Sequence, residues 1–272
     1  MNVTSGAVSI RRIVVKLDSG ASGLPALQVA VRLAAALGAE LEGVFVEDIN
    51  LMRLASLPFL REVRAFSLAE QAISAEGMQR DLRVLARQAE QALAQAAAAS
   101  GVSCSFRVWR GHTGVESISA SFDADILSLG TGGPHGAYHR ALPRLSAQVP
   151  GGRSVHAETI SVLFSDSPRS LKALAAACHL AGTLHAGIRV LLPPPADAAG
   201  DRLQQLAAGV LEAHGQKAGF VRLDAVDPTA LAEHIGRSAA NVLIVDVDHP
   251  LLRRAGVAHC LEQLEGTVLL VR

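Results

Sequence analysis

The chain has 272 residues, half of them hydrophobic and only 18% charged, enough apolar material for one large or two ordinary domains, and this excludes global disorder. Lysine plus arginine equals aspartate plus glutamate at 25 each, and aromatic residues make up 3%, so nucleic acid and acidic membranes are not expected partners. Three scattered cysteines (Cys104, Cys178, Cys260), no basic-then-apolar leader and no apolar run near the roughly 18 residues of a bilayer span point to a cytoplasmic protein.

Around Arg12 a short β-branched run, Ile13-Val14-Val15, leads into a Gly/Ser turn, an Ala/Leu-rich helical stretch, Gly38 and a second apolar run through Val46, the signature of a βαβ unit. The connection from Ile49 to Phe66 is strongly apolar and is expected to pack internally or in a dimer rather than act as a lid. Ser67 to Ser100 reads as one long helix, opened by a capping box of Ser67 with Glu70 and closed near Gly101. Ser105 to Trp109 is a strand, a short helix follows, and Ala124 to Leu129 is another strand running into the glycine-rich loop Gly130–Gly136, with a helix near Ala141. Val149 to Arg153 reads as an interdomain turn, and Ser154-Val155-His156 is the only candidate for a fifth strand of this half.

From Thr159 the same order returns, with Gly38 and Gly43 matched to Gly182 and Gly187 and a shorter first turn. Asp201 to His214 is a helix, Phe220 to Leu223 and Ala240 to Val245 are strands, and a helix at Ala255 to Leu264 precedes the strand Thr267–Val271. Strands alternating with helices imply an α/β fold of two tandem doubly wound, mostly parallel open sheets, in domains 1–153 and 154–272.

Such sheets bind ligands beyond the carboxyl ends of their strands, near the reversal of strand order. Asp18, the acids Glu47 and Asp48, and the loop Gly130–Gly136 stand at those ends in the first half. Glycines there let successive N–H groups converge on an anion such as a phosphate. In the second half the loop position reads Asp246-Val247-Asp248-His249-Pro250, after a first turn Ser165-Asp166-Ser167-Pro168, and two carboxylates would repel a phosphate. A divalent cation on Asp166, Asp246 and Asp248 is the lesser reading, solvated acids the greater, and no metal is expected. His135 and His139 read as solvated loop residues. With no nucleophile elbow, no P-loop lysine motif and no assignable base, catalysis is not expected.

Leu17-Asp18-Ser19-Gly20 after an apolar strand, and Ala124 through Gly133, resemble the universal stress protein family. The resemblance implies the adenine nucleotide alpha hydrolase-like fold and ATP or AMP as ligand. It would put Asp18 and Val46 near the adenosine, Leu129 and Gly130 beside the ribose and phosphates, and Gly133 on the phosphates, with Gly136 in the same loop. After nine intervening residues beyond Gly133 the family has glycine and a hydroxyl residue, whereas this chain has Pro143-Arg144. Proline offers no N–H, so part of the cradle is missing; Arg144 could supply charge and Ser146 a hydroxyl. The expectation is a regulatory module binding adenine nucleotide weakly in its first half, and the alternative is an interaction scaffold that binds none. The terminal strand, which the family uses to pair subunits, suggests a homodimer; a monomer whose halves mimic one is the alternative.

Overall fold

Aliphatic runs too short for a helix and bounded by turn residues become strands, and the Ala/Leu-rich stretches between them become helices. The computed structural model describes residues 10–17, 23–55, 57, 61–63, 70–72, 75–112, 123–131, 159–194, 199–225, 227–237, 242–254, 256–264 and 266–272. Along the chain these form β1 (Arg12–Leu17), α1 (Gly23–Leu37), β2 (Glu40–Asp48), α2 (Ile49–Ala55), β3 (Arg61–Val63), β4 (Glu70–Ala72), α3 (Ala75–Ala99), β5 (Cys104–Gly111) and β6 (Ile126–Thr131). The second half supplies β7 (Thr159–Leu163), α4 (Pro168–Leu184), β8 (Gly187–Leu192), α5 (Ala199–Ala213), β9 (Ala218–Arg222), α6 (Pro228–Arg237), β10 (Val242–Asp246), a 3₁₀ turn (Pro250–Arg253), α7 (Val257–Gln263) and β11 (Gly266–Val271).

The two expected sheets meet edge to edge as one nine-stranded sheet of order β5-β2-β1-β6-β11-β10-β7-β8-β9. Every pairing in it is parallel except β11 with β6, where Gly266 stands opposite Thr131 and Val271 opposite Ile126. Because β6 has β1 on its other side and β11 has β10, both edges of each seam strand are taken, and β11 fills the place beside β6 where a fifth strand of the first half would lie. The turn at 149–153, the strand candidate Ser154–His156 and the boundary at 153/154 lie outside the described residues.

The start of the seam is stitched by one carboxylate. Asp125 accepts hydrogen bonds from the Arg11 and Arg12 amides at 2.8 and 3.2 Å and from Lys172 Nζ of α4 at 2.7 Å. Lys172 Nζ also donates to the Arg272 carbonyl at 2.8 Å, and the Arg272 amide donates to the Asp125 carbonyl at 2.9 Å. The carboxylate thus ties together the entry to β1, the entry to β6, α4 of the second half and the end of β11.

Strand alternation divides the core in two. Ile13, Val15, Phe45, Ile160, Val162 and Ile244 project toward the face that α1, α3, α4 and α5 cover, whereas Val14, Val44, Leu127, Leu163, Leu243 and Val268 project toward the face where α6 and α7 bring Leu231, Ile235 and Leu261. Gly43 is required by this packing: a Cβ there would sit 2.5 Å from Leu93 Cδ2, so the bare backbone lets α3 approach β2. Ser161 lies on the second face, fully buried, and its hydroxyl has no hydrogen-bond partner among the described residues. Ser161→Ala removes a desolvated polar atom that gains nothing from folding. Its denaturation midpoint is therefore expected to stay level or to rise by the equivalent of up to about 1 kcal/mol.

Two local expectations are corrected. The long helix begins at Ala75, not Ser67, because Glu70–Ala72 pairs antiparallel with Arg61–Val63, so a cross-strand partner overrides local helix propensity. The apolar connection accordingly resolves into α2 and β3, with Ala55 buried and Leu54 47% exposed. The glycine correspondence is also displaced. Gly38, with φ 63°, ends α1, but Gly182 lies inside α4 and the same left-handed stop is made by His185 with φ 53°. Leu41 and Ile188, each three residues past its stop, face Ile13 and Ile160, so strand, turn and helix together span the same length in both halves.

Candidate functional site

In the first half β1 lies between β2 and β6, so strand order reverses at β1, and the ends of its two neighbours border the notch above it. Pairing of β1 with β2 stops at Leu17 opposite Phe45, and pairing with β6 at Val15 opposite Ser128. Val46, Leu129 and Gly130 are thus residues of β2 and β6 just past the last partner on β1. The structure brings these three expected site residues to one notch. Asp18, Gly133, Gly136, Arg144 and Ser146 lie outside the described residues, as do Pro143, His135 and His139.

Of the three, Val46 and Leu129 are 5% and 2% exposed, and their side chains pack with Val14, Val44 and Leu127. What they can offer a ligand is main chain. Position 130 falls on the α1 side of the sheet with Ser128, whose hydroxyl donates to the Ala26 carbonyl of α1 at 3.2 Å. Gly130 therefore presents no side chain toward the start of α1. The flanking acids are occupied otherwise: Glu47 is buried and paired with Arg110 at 2.9 Å, and Asp48 accepts from the Asn50 amide at 2.8 Å at the entry to α2.

The second half shows the corresponding notch filled. Register sets the correspondence: Ile126 faces Ile13, Val242 faces Ile160, and so Gly130 matches Asp246. Asp246 is 1% exposed, and its Oδ2 accepts a hydrogen bond from the hydroxyl of Ser167, the N-cap of α4. The Ser167 hydroxyl in turn accepts from the Ser170 amide at 2.9 Å, and Asp246 Oδ1 accepts from the Asp248 amide at 2.8 Å. A carboxylate of the chain itself thus sits against the first turn of a helix, where backbone amides and the helix dipole favour an anion.

His249 completes the filling. It is 4% exposed, and its Nδ1 accepts from the Leu251 amide at 3.2 Å. Burial pushes its pKa below the ordinary 6.5, against the pull of the Asp246 charge, so the ring is neutral at physiological pH. Asp248 pairs with Arg169 and, at 3.8 Å, with Arg253. The acids expected to repel a phosphate are therefore engaged by hydroxyl, amide and guanidinium groups, and the ligand's place is occupied as well as charged. Asp166 is exposed, and no cluster of three or more metal-ligating side chains occurs among the described residues. Arg169 and Arg253 carried no local signal, because only the folded crest brings them to Asp248.

Among the described residues no helix is long and apolar enough to cross a membrane. All three cysteines are free, Cys178 buried with its thiol pushed up to about 11 by desolvation.

A sequence model of the universal stress protein family matches residues 9–149. No curated protein matches the chain in sequence. The chain resembles the solved structure of a universal stress protein from Archaeoglobus fulgidus DSM 4304, with 11% identity, 97% of each chain covered and a TM-score of 0.55. It also resembles a candidate universal stress protein from Pseudomonas aeruginosa UCBPP-PA14, with 14% identity, coverage of 97% of this chain and 94% of the other, and a TM-score of 0.50. At such identities the shared property is the fold. A universal stress protein in complex with cAMP matches over 42% of this chain and 97% of its own, with 18% identity and a TM-score of 0.36.

Proposed function

Since the chain belongs to the universal stress protein family through its residues 9–149, we propose that it is a non-catalytic regulatory module that binds an adenine nucleotide, ATP or AMP, weakly in its N-terminal half. The C-terminal half, on this reading, is a degenerate copy that supplies packing and the shared strand β11. The observation that supports it is the contrast at the register-matched position: Asp246 fills the notch of the second half, where the first half has Gly130. A phosphate in the first half would take the place that the Asp246 carboxylate holds in the second. Backbone amides would be its main donors, in keeping with the burial of the Val46 and Leu129 side chains.

A second reading, an interaction scaffold without nucleotide, draws on Pro143-Arg144, which removes one N–H from the expected cradle. Thermal melting of the full chain with millimolar ATP or AMP separates the two. A ligand tenfold above its Kd stabilises the folded state by about 1.4 kcal/mol, or roughly 3–5 °C in Tm for a chain of this size. A rise of that order with either nucleotide supports the module, and an unchanged Tm leaves the scaffold.

A further inference from the structure

We propose that His179 on α4 and His214, just past the end of α5, form a surface site for a borderline divalent cation such as Zn²⁺, with water completing its coordination. This site lies outside the notch and does not depend on the nucleotide reading. Both histidines are exposed, and their ring centroids are 5.4 Å apart with the planes at 84°. Zinc holds imidazole nitrogen at about 2.0–2.1 Å, so two rings on one tetrahedral ion have centroids roughly 5 Å apart. The observed centroid separation matches that spacing, and the rings must turn from their edge-to-face arrangement to aim both nitrogens at one ion.

The Val210 carbonyl engages one nitrogen of the His214 ring. It lies 2.9 Å from Nδ1 and can only accept, so Nδ1 donates to it and Nε2 is the nitrogen left to face a metal. A ligating histidine ordinarily makes this second hydrogen bond to a carbonyl or carboxylate.

Local backbone keeps the pair in place. The Thr183 hydroxyl donates to the His179 carbonyl at 3.0 Å within α4, and Gly215 with φ 64° ends the helical path directly after His214. The Gln216 side-chain amide lies beside Gly182, one turn along α4 from His179. Imidazole suits Zn²⁺, Ni²⁺ and Cu²⁺, whereas Mg²⁺ and Ca²⁺ prefer oxygen, so the site should discriminate between these classes.

The test is calorimetric titration of Zn²⁺ into the full chain carrying Cys104→Ser, which removes an exposed competing thiol. One equivalent is expected to bind, with affinity falling about tenfold or more in either His179→Gln or His214→Gln and Mg²⁺ giving no heat. Both rings are exposed, so the variants should melt with the parent in the absence of metal, which separates lost ligation from lost fold. Undiminished Zn²⁺ affinity in either variant, or no binding by the parent, overturns the proposal and leaves the two rings as an edge-to-face contact.

Discussion

Replacing Asp246 with alanine is expected to destabilise the protein by about 2–3 kcal/mol, although the residue lies in the half assigned no ligand. The carboxylate is 1% exposed and serves two part-buried hydrogen bonds, from the Ser167 hydroxyl and the Asp248 amide. Truncation removes the acceptor of both hydrogen bonds and takes the negative charge from the first turn of α4, where the helix dipole favours it. Asp246→Asn keeps an oxygen acceptor and the shape but not the charge, so its loss should be about half as large. Urea denaturation of the three proteins measures this order. A loss below about 0.5 kcal/mol for the alanine variant would mean that the carboxylate does not hold the crest together.

Asp125→Ala should cost a comparable amount, about 2–3 kcal/mol, by loosening the seam between the halves. Its partner Lys172 is only 16% exposed, so the ion pair escapes most of the screening that makes surface pairs weak. A double-mutant cycle with Lys172→Ala should return a coupling of about 1–2 kcal/mol. Partial burial raises the Asp125 pKa, but the Lys172 ammonium and the Arg11 and Arg12 amides outweigh it and hold the carboxyl below the ordinary 3.8. A carboxyl depressed by folding contributes stability that is fully present above 3.8 and is lost as pH falls through the lower folded value. Asp125→Asn should therefore lose its disadvantage against the parent in the acid limb of a stability profile, and a constant gap from neutral to acid pH would contradict the account.

The βαβ order and the ends of most strands were legible because hydrophobic runs and glycines report on local structure, whereas Val46, Leu129 and Gly130 were grouped only through the family resemblance. The glycine match of Gly38 to Gly182 misled because a non-glycine, His185, adopts the left-handed stop in the second half, and composition carries no trace of that. Ser67 with Glu70 has the spacing of a capping box, yet Glu70 joins a strand whose partner is Arg61–Val63, a contact set by tertiary pairing. The β11–β6 seam was hidden for the same reason: it joins residues more than a hundred positions apart, and nothing in either strand marks it as antiparallel. Asp246 and Asp248 were visible as acids in a loop. That one plugs the notch while the other pairs with Arg169 follows only from the register of β10 and the position of α4.

The central claim is that a bound phosphate in the first half occupies the place of the Asp246 carboxylate in the second. Gly130→Asp tests it directly, because it writes into the first notch the residue that the second accommodates at the matching register. Calorimetric titration of ATP into the full chain and into this variant is predicted to show binding to the former and none to the latter, with both folded. Equal affinity in the two proteins, or no heat from either, would contradict it.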